Sequence, residues 1–155
     1  MRKLMIGALA SVVAMTLSTT GFAQGTEAEA KAMLTKAVAA VKADQTKALA
    51  TFTAGESGFR DRDLYVFCAN LTDSKIVALG NPNVSKQLLG TDVRALKDAT
   101  GKVYGPDLFA GMQKDAISQV EYMFPRPGAD TKPVQKISFV TKASNDIGCG
   151  VGYYK

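Results

Sequence analysis

The chain has 155 residues, a formal net charge of +5, two cysteines, and neither histidine nor tryptophan. Without histidine, Ser-His-Asp triads, Cys-His pairs and histidine metal centres are excluded, and two cysteines are too few for a thiolate zinc site. Both charge signs are interspersed and no Lys/Arg run tracks phosphates, so no nucleic-acid partner is expected.

Arg2 and Lys3 precede an apolar run over 4–17, followed by the polar Ser18-Thr19-Thr20 and the small residues Gly21 and Ala23. A signal peptidase reads that order, and the run is shorter than the roughly 20 residues of a bilayer span. The expectation is a signal peptide over 1–23, cut after Ala23, and a single domain over 24–155. The mature chain is then periplasmic or secreted and does not span the membrane; an uncleaved transmembrane anchor is the alternative. In an exported chain the pair Cys68 and Cys149 reads as a disulfide, with two buried free thiols as the alternative.

Over 26–53 the spacing predicts one long helix. Thr26 and Glu29 form a capping box, and Leu34, Val38, Val41, Ala48 and Phe52 recur on one face, with Gln45 the polar interruption. Gly55 and Gly58 end it. The segment 64–71 is rich in β-branched and aromatic residues and apolar on both faces, as a central strand is. Turn residues at 72–75 lead into a returning strand over 75–79. A long connection opens at Gly80-Asn81-Pro82-Asn83, contains a turn at 98–101, and predicts a short helix over 106–114. Strands are expected at about 117–124, 135–142 and 147–154. The fold class is α+β: a long N-terminal helix packed on a five-stranded, mostly antiparallel sheet.

The final strand places Ile147, Cys149, Val151 and Tyr153 on one face and only Gly148, Gly150 and Gly152 on the other. Three glycines on one strand face call for a reason: a ligand that approaches the backbone, or a tightly packed neighbouring side chain. In the strand over 64–71, Cys68 shares parity with Leu64 and Val66. If the two strands are neighbours, the two sulfurs can meet on the helix-covered face. The same parity sets Tyr65, Phe67 and Ala69 opposite the glycines, an aromatic wall facing a glycine floor, as in a small pocket.

Several segments together resemble a Cache domain, the extracytoplasmic relative of the PAS fold. They are Arg60-Asp61-Arg62-Asp63-Leu64-Tyr65-Val66-Phe67, Asn81-Pro82, Leu89-Gly90, the run from Leu96 through Asp98 and Gly101 to Tyr104, Glu121-Tyr122 followed by Pro125, the stretch around Lys136, and Gly150-Val151-Gly152-Tyr153-Tyr154. The resemblance implies a PAS-like sheet with helices on one face and a small-ligand pocket on the other, and first and last strands side by side. It also implies binding of small metabolites, often short carboxylates, on behalf of a membrane chemoreceptor or kinase. Met123-Phe124 stand where the family often has tryptophan.

A carboxylate ligand asks for a cation and hydroxyl donors in a partly dry pocket. Lys136 is the candidate cation, otherwise a solvated edge lysine. Tyr65 and Tyr122 are the candidate hydroxyls, otherwise core tyrosines. Phe67, Gly148 and Gly150 complete the expected ligand-binding set, and Arg126, between two prolines, is expected at the surface. Asp61 and Asp63 lack the glycine and distal glutamate of an EF-hand loop. Gly55-Glu56-Ser57-Gly58 has no histidine to activate its serine. The function expected is a periplasmic small-molecule sensor, probing a short carboxylate or related metabolite, without catalysis, cofactor or metal, whose segment 80–114 moves on binding. The alternative is a structural or protein-interaction module of the cell envelope with a filled pocket.

Overall fold

Thr26 starts the first helix with the expected capping box: its hydroxyl accepts from the Glu29 N–H at 3.3 Å, and the Glu29 carboxylate accepts from the Thr26 N–H at 2.8 Å. The computed structural model describes residues 23–128 and 130–155. The leader expected over 1–23 therefore lies almost wholly outside the described residues. Helix α1 runs Glu27–Ala43 and α2 Gln45–Ala54, so the single helix predicted over 26–53 is two. The break is at Asp44, whose backbone is extended (φ −159°, ψ 95°). Its N–H donates to Ala40 O to close α1, and its carboxylate accepts from the Lys47 N–H at 3.0 Å to open α2. Asp offers the backbone a cap in place of a helical turn, a cue outweighed in the sequence by the alanine-rich surroundings.

The other elements are β1 (Arg60–Asp61), β2 (Leu64–Asn70), β3 (Ile76–Leu79), α3 (Pro82–Leu88), a 3-10 turn (Val93–Ala95), α4 (Gly105–Met112), β4 (Ser118–Pro125), β5 (Pro133–Lys142) and β6 (Ile147–Tyr154). All pairings are antiparallel, in the order β1-β2-β6-β5-β4, with β3 also paired to β2. The sheet thus has six strands rather than five; the unforeseen one is the two-residue β1. Among the described residues, no helix is long and apolar enough to cross a membrane.

The period-2 alternation of β2 and β6 splits the core in two. On one face Leu64, Val66, Cys68, Ile147, Cys149 and Val151 pack beneath α1 and α2, with Leu34, Ala37 and Phe52. On the other, Tyr65, Phe67, Tyr122 and Val140 pack beneath α4 and the 3-10 turn, with Val93, Leu108 and Met112. Cys68 lies directly opposite Cys149, and the two form a disulfide spanning 81 positions. Chain-entropy reasoning gives a cross-link of that length about 4 kcal/mol. Replacing both cysteines by serine should lower the denaturant-derived unfolding free energy by about that amount, and a loss near zero would show that the bond is dispensable to the fold.

Strand β4 is the sheet's edge, and the turn at 98–101 covers it. Asp98 accepts from the N–H of Thr100 and Lys102 and, with its other oxygen, from the Met123 N–H at 3.1 Å; Lys102 Nζ donates to Glu121 O. The Thr100 hydroxyl, which donates to Asp98 Oδ1 at 2.6 Å, and then these backbone N–H groups hold the Asp98 carboxyl down at about 2. A group lowered in the folded state stabilises it above the ordinary aspartate value and loses that contribution as the pH falls toward 2. Asp98→Asn should therefore flatten the decline of melting temperature between about pH 4 and pH 2. An unchanged acid profile would remove Asp98 from the account of acid stability.

Candidate functional site

Lys136 lies in the body of β5, a strand flanked by β6 and β4, and is only 1% exposed. The solvated edge lysine of the sequence alternative is thereby corrected: a strand with neighbours on both sides has no wet edge. The side chain crosses the backbone of β6 at Gly152, where a Cβ would overlap Lys136 Cε and Ser138 Oγ. Lys136 Nζ then donates to Tyr65 Oη at 2.6 Å. It lies 4.0 Å from the ring centre of Tyr65, 5.0 Å from Tyr154, 5.1 Å from Phe124 and 5.9 Å from Phe67. Cation–π attraction offsets part of the ammonium's desolvation, but no carboxylate pairs with it among the described residues.

This ammonium borders a small cavity of about 30 Å³, whose walls include Tyr65, Phe67, Tyr104, Tyr122, Phe124 and Lys136. Tyr122 and Tyr104 stack with ring centres 3.9 Å apart, and Tyr122 Oη shares a 2.9 Å hydrogen bond with Ser138 Oγ. Burial raises both of these tyrosines, and Tyr154, above the ordinary phenol value, with neighbouring tyrosines adding to the effect. Near neutral pH these hydroxyls stay protonated and can donate to an anion. The sequence thus anticipated Tyr65, Phe67, Tyr122 and Lys136 together, and the structure gathers them at one cavity.

Gly148 and Gly150 are not at that cavity. A Cβ on Gly148 would overlap Met112, and one on Gly150 would lie 2.5 Å from the Phe67 ring. The glycine stripe is therefore packed by the protein's own side chains, not left as a bare floor: its absent Cβ atoms admit Met112, Phe67 and Lys136. Tyr104 and Phe124, which the sequence reading does not name as site residues, also line the cavity, and Ser138 and Tyr154 adjoin Tyr122 and Lys136. For Tyr154 a signal existed, since it continues the parity of the three glycines and pairs in register with Lys136.

Arg126 is half-buried rather than freely exposed. Its guanidinium lies 5.4 Å from the Tyr154 ring centre and 3.8 Å from Asp63 Oδ2, and it donates to Lys155 O at 3.2 Å. It lines a separate groove of about 640 Å³ together with Gln24, Arg62, Asp63, Pro127 and Lys132. That groove is the larger space, yet the small cavity is the one bordered by a buried cation unpaired among the described residues and by protonated hydroxyls. Tyr154 touches cations from both sites.

The chain resembles the crystal structure of a methyl-accepting chemotaxis protein from Vibrio parahaemolyticus (19% identity, 83% of this chain and 87% of that one, TM-score 0.63). It also resembles a periplasmic sensor domain of a chemotaxis protein (24%, 80% and 86%, TM-score 0.59). A third is a structure described as the basis for carboxylic acid recognition by a Cache chemosensory domain (22%, 80% and 84%, TM-score 0.58). At these identities the likeness establishes a shared fold. No curated protein matches the chain significantly. The Cache-domain family model matches residues 14–151, and with the six-stranded sheet and its two-sided helical cover this places the chain in the Cache domain family.

Proposed function

We propose that this Cache domain is an extracytoplasmic sensor module that binds a short carboxylate at Lys136 and has no catalytic activity. The observation that carries the proposal is the Lys136 ammonium, buried among four aromatic rings with a hydroxyl as its one hydrogen-bond partner. Burying a charge without a counter-ion is costly, and an anionic ligand supplies what the protein omits. Its carboxylate would take a charge-assisted bond from Lys136 Nζ and further bonds from the Tyr65 and Tyr122 hydroxyls. The similar Cache chemosensory domain described by its carboxylic acid recognition supports this choice of ligand class.

About 30 Å³ is the volume of one water molecule. A carboxylic acid of two or three carbons needs more room, so binding requires the cover to shift. Residues 80–114 form that cover, and within them α3 has no buried residue. Ligand would then select between two arrangements of this segment, which a membrane receptor or kinase partner could read. Export, with a leader removed after Ala23, is part of the proposal. A second reading has one observation in its favour: because Met112, Phe67 and Lys136 fill the glycine stripe, the module could serve as an interaction scaffold that binds no solute.

Thermal unfolding with acetate, propionate or pyruvate separates these readings. A ligand at 100 times its dissociation constant adds about 2.7 kcal/mol, so the melting temperature should climb with concentration. Lys136→Met should abolish the response while leaving the ligand-free protein as stable or more so, because an unpaired buried charge is gone. No shift at millimolar concentrations, or a shift retained in Lys136→Met, would favour the scaffold.

A further inference from the structure

We propose that the N-terminus released between Ala23 and Gln24 is a built part of the fold, its α-ammonium held by the Asp63 carboxylate; this rests on the leader reading of 1–23. The two residues after the cut are docked through their backbones. The Gly25 N–H donates to Asp63 Oδ1 at 2.7 Å in a buried contact, and Arg62 Nη1 donates to Gln24 O at 3.1 Å. Position 25 accepts only glycine in this arrangement, since a Cβ would overlap the Leu64 side chain. Arg62 adopts φ +55°, a left-handed conformation uncommon outside glycine, and from it also binds Glu29 at 2.7 Å and Asp61 at 2.9 Å.

Asp63 itself is 8% exposed, and its second oxygen, Oδ2, has no hydrogen-bond donor among the described residues. Arg126 Nε, 3.8 Å away, makes an ion pair but no hydrogen bond and has no acceptor. A buried carboxylate oxygen without a donor is costly. The nitrogen of Gln24 precedes by one residue the N–H that Oδ1 already holds. As part of a peptide it has one N–H, fixed by the amide plane; as an ammonium it has three donors and a full charge. Processing by a leader peptidase adds water across the Ala23–Gln24 bond: the hydroxyl goes to the Ala23 carbonyl, which leaves as a carboxylate, and Gln24 nitrogen leaves as an ammonium. The groove lined by Ala23, Gln24 and Asp63 lies where the departing segment joins.

The test is to export the full chain with its own leader and compare it with a variant carrying Ser-Gly inserted between Ala23 and Gln24. Intact mass and N-terminal sequencing should show native protein starting at Gln24 with a free amine. The inserted variant, in which Gln24 nitrogen is an amide, should melt about 4 °C lower. Asp63→Asn, which keeps the acceptor for Gly25, should lower the melting temperature of the native start and erase the difference between the two starts. Equal melting temperatures, a difference that persists in Asp63→Asn, or a Gln24 closed to a neutral lactam would overturn the proposal. A chain not cut at Ala23 would overturn the leader reading as well, and the mass distinguishes that failure from loss of the Asp63 contact alone.

Discussion

Strands β2 and β6 lie antiparallel with Val66 opposite Val151, Phe67 opposite Gly150 and Cys68 opposite Cys149. That register aligns the apolar faces of the two strands under α1 and α2, and a slip of one residue would turn every side chain to the wrong side. On the opposite face it stations Tyr65 and Phe67 where β5, on the far side of β6, can send Lys136 toward them. The lysine reaches Tyr65 only because Gly152 of the intervening strand has no side chain in the way. The disulfide fixes the same register covalently, so the site's geometry and the sheet's main pairing are one constraint.

Much of this was legible in the sequence. Strict alternation in 147–154 and the shared parity of Cys68 and Cys149 set the faces, and the ends of β6 were met to the residue. Less was legible where short-range signals compete. Asp44 interrupts an alanine-rich stretch whose helix propensity overrides one capping residue when read alone. The two-residue β1 carries no periodicity at all. Burial of Lys136 was signalled only by the family resemblance, because nothing local distinguishes a lysine on a covered strand from one on an edge. The glycine stripe taught the opposite lesson: its need for close approach was read correctly, but the approaching atoms belong to Met112, Phe67 and Lys136.

The polar chemistry of the second face is unevenly distributed. Tyr122 and Ser138 satisfy each other, and Tyr154 donates to Pro125 O at 2.9 Å. Lys136 is different: it is fully buried and combines a full charge with a neutral hydroxyl partner. Polar groups in a low dielectric act strongly whether paired or not, so this is where an arriving anion would change the energy of the fold most. The segment from α3 to α4 packs over that point with Leu88, Val93, Leu96, Tyr104 and Leu108, and α3 itself has no buried residue. Free energy released at the lysine would therefore be felt first in a thin cover rather than in the disulfide-tied half beneath α1 and α2.

Strand β6, the last element of the sheet in chain order, sits between β2 and β5. Until it is present, the strands made earlier have no central partner: the hairpin-like unit of β2 and β3 and the β4–β5 pair are two separate pieces with open edges. The contacts that join them span 81 positions at the cysteines, which gives the domain a high contact order and a slow, all-at-once closure. Any shortening of the chain within β6 would thus leave two unconnected half-sheets whose bare edges are free to pair with other molecules.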